Sequence, residues 1–259
     1  MATFFTEARE IIYPSRKSAH GPLGPLLLCM TFISGLVDSF SYLVLGHVFV
    51  ANQTGNFILL GMALAGAPGF SVSAQAVALI SFAMGAVIGG RIEVRRSDHR
   101  GRYLFAAAVG EVVFLVVGAV LAALTENPPQ SGYRFSLIAI LALAMGIQTA
   151  SARKLAVPDL TTTTFTQLIT ATFSESAIGG GNGSQIGRRI IPLGVLLAGA
   201  FISTALVVAD HIVFPLLIAS LVACAVAVTA GLLRRSNDRW VSFKRLARLT
   251  EIPAADDGA

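Results

Sequence analysis

Long apolar runs alternate with short polar clusters along the chain, and six runs come near the ~20 residues a helix needs to cross a ~30 Å hydrocarbon core. They occupy residues 23–45, 72–91, 103–124, 133–152, 189–209 and 212–233, and each predicts a spanning helix. Residues 48–66 and 158–177 differ. Both open with polar residues and keep an apolar part of only about a dozen residues, the length of a re-entrant or broken helix. The expected class is an all-α polytopic membrane protein with six spanning helices plus two short re-entrant or broken helices.

Composition strengthens this reading. Of 259 residues, 54% are hydrophobic and 13% charged, against roughly 25% charged in a soluble domain, and the mean hydropathy is +0.74. Residues 1–20 lack an apolar h-region with a cleavage site, so the first long helix is expected to be retained. The expected organisation is a cytoplasmic arm at 1–22, a transmembrane domain at 23–233, and a basic cytoplasmic tail at 234–259. Within the tail, residues 240–249 can form a short basic amphipathic helix on the inner leaflet.

The net charge of +5 does not predict nucleic-acid binding, because the cations flank apolar segments in small groups rather than forming one stripe. They act as topology signals. Arg9, Arg16 and Lys17 precede the first span, and Arg91, Arg95, Arg96, Arg100 and Arg102 follow the second. Arg134 stands alone. Arg153, Lys154, Arg188 and Arg189 flank the second short segment, and Arg234, Arg235, Arg239, Lys244, Arg245 and Arg248 end the chain.

Cytoplasmic loops are enriched in Lys and Arg. If all eight segments crossed, the five-arginine loop would face outward with Arg188 and Arg189. If the two short segments enter and return, every cation except Arg134 is cytoplasmic, so this topology is expected, with both termini inside. It makes residues 23–125 and 133–233 two halves of opposite orientation, an inverted-topology repeat. A faint echo accompanies it: Gly35-Leu36-Val37-Asp38-Ser39 and Gly146-Ile147-Gln148-Thr149-Ala150 lie about 111 residues apart, each ahead of a polar break.

Irregular chain at membrane depth is tolerated only where protein or a water-filled cavity surrounds it. Each break precedes a short helix, starting near Thr54 and near Thr164, whose first amides lack internal partners and carry partial positive charge. Paired half-helices of this kind form the midplane sites of inverted-repeat transporters. The expected lining residues are Asn52, Thr54, Gly55 and Asn56 from the first half and Thr163, Thr164, Thr166 and Gln167 from the second. The ordinary alternative is that these residues only cap helices and bond to neighbouring helices.

Asp38, in the middle of the first span, is a candidate proton or cation carrier, since an intramembrane carboxylate is functional by default; it could instead hold the break in place. Glu111 is a second candidate, balanced between function and structure. Glu175 is expected to be structural beside Arg188 and Arg189. His20 and His99 are expected at the surface, His211 at an external corner and His47 at an interface. Gly85, Gly89 and Gly90 form a small-residue pattern for close helix packing, within the chain or in a homodimer. Cys29 and Cys224 lie in apolar segments and carry no assigned chemistry.

The stretch SGLVDSFSYLVLGHVFVANQTGNFILLGMALAG (34–66) resembles the N-terminal hallmark of the YoaK-like family of bacterial integral membrane proteins, domain of unknown function 1275. The stretch MGIQTASARKLAVPDLTTTTFTQLITATF (145–173) is similar to its second hallmark, in which a glycine commonly stands where Gln167 stands here. The resemblance implies a bacterial inner-membrane location and some six helices, but no substrate.

The expected function is a small-solute transporter or channel with a midplane polar site, proton- or cation-coupled through Asp38; the alternative is a non-transporting membrane scaffold or accessory protein. The expected partners are the lipid bilayer and a small solute, with an anion favoured by the helix N-termini. No nucleic acid, cofactor or metal is expected. Neither is an enzymatic activity, since there is no HExxH, no GxSxG and no Ser–His pairing.

Overall fold

The computed structural model of the protein describes residues 11–14, 20–96, 99–125, 131–158, 160, 165–176, 179–181, 186–236 and 238–242. From residue 23 onward, eight α-helices follow in order among the described residues: α1 Leu23–Val44, α2 Gln53–Leu64, α3 Val72–Arg96, α4 Arg100–Ala123, α5 Ser131–Leu155, α6 Phe165–Ser174, α7 Ile186–Val208 and α8 Phe214–Leu233. Among the described residues there is no strand, and six helices are long and apolar enough to cross a membrane. The remaining two, α2 and α6, have only 12 and 10 residues, far short of a span.

Contacts between helix ends fix the path of the chain. At one end of the bundle, here called proximal, Arg100 at the start of α4 donates from its guanidinium to the carbonyls of Leu155 and Trp240. His20, just before α1, lies 3.5 Å from the same guanidinium. At the distal end, Gly46, after α1, packs under the guanidinium of Arg134, near the start of α5. Helices α1, α4 and α7 therefore run proximal to distal, and α3, α5 and α8 run back.

Each short helix lies in a segment whose flanking residues are tied together at one end of the bundle. After α1 the chain reverses in a Schellman-type turn: Gly46 has φ +83° and the His47 amide bonds to the Tyr42 carbonyl at 3.0 Å, satisfying the orphan carbonyls of the helix end. The chain then dips inward, forms α2 and comes back to its entry point. There Gln75 donates to the His47 carbonyl at 2.9 Å, and His47 Nδ1 lies 3.2 Å from the Gly69 carbonyl. At the proximal end, Arg188 donates to the Pro158 carbonyl at 3.3 Å, tying the exit from α6 to its entry.

Three helix pairs dominate the packing: α3 with α5, α1 with α7, and α4 with α8. Glycines govern the first two. A Cβ on Gly146 would meet the Phe82 carbonyl and Gly85 Cα, and one on Gly35 would meet the Leu196 carbonyl, all inside van der Waals contact. Backbones approach this closely only where side chains are absent. Gly85 and Gly89 face α5, whereas a Cβ on Gly90 would enter open space. The buried apolar residues form a distal cluster around Ile33, Phe40, Leu115 and Leu141 and a proximal one around Leu27, Tyr103, Leu155 and Trp240. The outer face of α7 stays apolar and exposed at Leu197, Phe201 and Val208, as lipid contact requires.

The proximal end departs from expectation at three residues. Arg100 is fully buried, and Trp240 is buried on Gly21 instead of resting on a leaflet; residues 243–249, the rest of the expected amphipathic helix, lie outside the described residues. His20 is half-buried rather than a surface residue. Burial, followed by the charges of Arg100 and Arg188, pushes its pKa down to about 4. The unfolded chain binds a proton at His20 near pH ~6.5, so from about pH 7 down to about 4 it holds more protons than the folded one and stability falls. The His20→Gln variant is expected to lose less melting temperature than wild type between pH 7.5 and 5. Parallel acid slopes for the two proteins would contradict this.

Candidate functional site

The stretch VFVAN, residues 48–52, is not helical, so its backbone needs other partners, and polar side chains supply them. The Asp38 carboxylate accepts the amides of Val50 (2.8 Å) and Ala51 (2.7 Å) on Oδ1 and of Asn52 (3.0 Å) on Oδ2. The Asn56 side chain accepts from the Phe49 amide at 2.9 Å and donates to the Phe49 carbonyl at 2.6 Å, as a neighbouring strand would. Gln53 donates to the Val50 carbonyl at 2.9 Å. Asn52 then N-caps α2 by accepting from the Gly55 amide at 3.3 Å.

Held in this way, the break walls a cavity of about 360 Å³. Ser34 and Asp38 come from α1, Ala51 and Asn52 from the break, Thr54, Gly55 and Ile58 from α2, Phe165 and Thr166 from α6, and Leu196 from α7. Ser34 and Leu196 lie near the middle of helices of 22 and 23 residues. At 1.5 Å per residue this puts the cavity roughly 16 Å from either end of the bundle. The described lining contains one carboxylate and no Lys, Arg or His. Behind it, Gln148 of α5 donates to Ser34 Oγ at 2.7 Å, while Gln148 Oε1 is buried with no hydrogen-bond partner among the described residues.

The candidate residues separate into groups. Asn52, Thr54, Gly55, Thr166 and Asp38 line the cavity. Asn56 is fully buried and tied to Phe49, and Gln167 is exposed on α6 away from the lining. Thr163 and Thr164 lie outside the described residues. Glu111 is buried on α4, one residue beyond Gly110, which faces Ile147 of α5. It too lies off the cavity, and its Oε1 has no hydrogen-bond partner among the described residues. Glu175 forms an ion pair with Arg189 at 2.7 Å. Ser34, Phe165 and Leu196 join the lining without a signal in the sequence beyond Ser34 standing one helical turn before Asp38.

Six apolar spans, two half-length helices and a polar pocket at mid-depth define a multi-pass α-helical membrane protein. The family described as "Protein of unknown function (DUF1275)" matches residues 26–230, and the chain belongs to it. The chain is also similar to the UPF0700 transmembrane protein YoaK of Bacillus subtilis (strain 168), with 36% identity over 145 residues. That alignment covers 54% of this chain and 60% of the relative, so the match spans about three fifths of the relative's length. No solved structure matches.

Proposed function

We propose that the protein is a small-solute transporter or channel of the bacterial inner membrane, with the mid-depth cavity as its binding site and both termini cytoplasmic. The carrying observation is the cavity itself, to which α1, the first break and α2 contribute from one half of the chain and α6 and α7 from the other. Its ~360 Å³ would hold on the order of ten water-sized groups at ~30 Å³ each. With Asp38 in the wall and no base in the described lining, a neutral polar or cationic solute fits better than the anion that helix N-termini alone would favour.

The inverted repeat is part of this reading and is supported by reciprocity. Exchanging the halves maps α1 onto α5, α3 onto α7 and α4 onto α8, and so converts the α1–α7 pair into α5–α3 while α4–α8 maps onto itself. The Gly35–Gly199 approach likewise maps onto Gly146–Gly85. Rocking of one half against the other about such crossings is the general route to alternating access.

Thr54 and Thr166 test the site because they line the cavity and have no side-chain hydrogen bond among those described to the break. In proteoliposomes, Thr54→Val with Thr166→Val is expected to weaken uptake of a transported solute about tenfold, equivalent to ~1.4 kcal/mol, with an unchanged melting temperature. Uptake unaffected by that pair and by Asp38→Asn would remove the site assignment. A scaffold role is the second reading. It is favoured by how fully Asp38, Gln53 and Asn56 are engaged in holding the break, and it predicts no flux of any solute.

A further inference from the structure

Arg102, Arg234 and Arg235 form a cationic pocket at the proximal end, remote in the fold from the cavity. Arg102 is the third residue of α4; Arg234 caps α8 and Arg235 follows it. Gly101 lets the two helix ends meet, since a Cβ there would stand 3.1 Å from the Leu233 carbonyl. With Phe105 the three arginines line a cavity of about 290 Å³, and all three are exposed. Arg234 is stacked, its guanidinium carbon 5.0 Å from the Phe105 ring centroid. The acid on this segment, Asp238, is not among the residues lining the pocket and accepts from Ser236 Oγ at 2.6 Å.

We infer that this pocket is a binding site for the headgroup of an anionic phospholipid. The level is right: the arginines stand at the start of one apolar span and just past the end of another, where headgroups lie. The chemistry fits as well, because guanidinium forks pair with phosphate oxygens in bidentate fashion. Phe105, one turn into the apolar part of α4, gives the glycerol and first acyl carbons an apolar floor. A zwitterionic headgroup would turn its own cation toward three arginines, so a net negative lipid is selected. The site is independent of any transported solute.

The test uses the purified full-length protein in delipidated detergent micelles, with phosphatidylglycerol, phosphatidylcholine or inorganic phosphate added. Phosphatidylglycerol is expected to raise the melting temperature by about 4 °C or more, since a ligand bound by the folded state alone stabilises it. Phosphatidylcholine and inorganic phosphate should leave it unchanged. Arg102→Gln combined with Arg235→Gln should lose most of the phosphatidylglycerol shift while Arg234 keeps its stack on Phe105. An equal shift with phosphatidylcholine, an equal shift with inorganic phosphate, or a full shift in the double variant would overturn the inference. If the double variant does not fold, native mass spectrometry of the wild type in equimolar mixed lipid decides: retained phosphatidylglycerol supports the site, and equal retention of both lipids refutes it.

Discussion

Asp38→Ala is expected to destabilise the protein by about 3–5 kcal/mol, whereas Asp38→Asn should cost only about 1–2 kcal/mol, because an unsatisfied buried donor costs roughly 1–3 kcal/mol. The difference lies in which amides each variant orphans. Val50 and Ala51 are almost fully buried, and both amides bond to Oδ1; alanine takes that acceptor from both. Asparagine retains an oxygen for them and loses only the bond to the Asn52 amide. Asn52 is exposed on the cavity side, so water can take its place there.

Chemical or thermal unfolding in detergent reads this contrast directly. Equal losses for the two variants would show that charge, rather than acceptor geometry, holds the break. Because Asp38→Asn leaves the break nearly intact, its effect on solute flux isolates the charge at the cavity wall. Lost flux with a small stability change would assign Asp38 a coupling role; retained flux would make it an anchor alone.

Gly146→Val is expected to prevent the fold from assembling, and Gly146→Ala to cost about 2–4 kcal/mol, at or above the usual range for overpacking a core. The added Cβ would overlap the Phe82 carbonyl and come within 2.9 Å of the Ala86 amide and 3.0 Å of Gly85 Cα. These are backbone atoms and cannot rotate away, so α3 and α5 must separate along the whole crossing. Gly35→Ala should cost a similar amount at the α1–α7 crossing, where a Cβ meets the Leu196 carbonyl and stands 2.9 Å from the Ala200 amide. Gly90→Ala is the control, expected within about 0.5 kcal/mol of wild type because its Cβ meets open space and alanine favours a helix. Melting temperatures of the four variants check the set, and equal tolerance at Gly146 and Gly90 would contradict it.

Hydropathy located all six long helices to within a few residues at most boundaries, because crossing a hydrocarbon core demands a minimum apolar length whatever the neighbours are. The start of α2 was legible for a local reason: Asn52 is a capping residue and its bond to Gly55 spans three positions. Asn56 shows where such reading stops. In sequence it looks like a lining residue, yet it is spent on the backbone of Phe49, seven residues earlier. His20 and Arg100 show the same limit at the proximal end. Each looks like an ordinary surface or loop residue, and contacts spanning 80 and 55 positions bury them.

The sequence by itself determined the membrane class, the number of long helices and the presence of two helices too short to span, all of which follow from apolar length and from the cost of leaving backbone groups unpaired. Tertiary structure decided which polar residues face a cavity and which only hold the chain. That choice depends on the direction of a side chain from a non-helical backbone and on residues from distant helices, such as Thr166 and Leu196, which line one cavity with Asp38. No periodicity within a single segment carries that information.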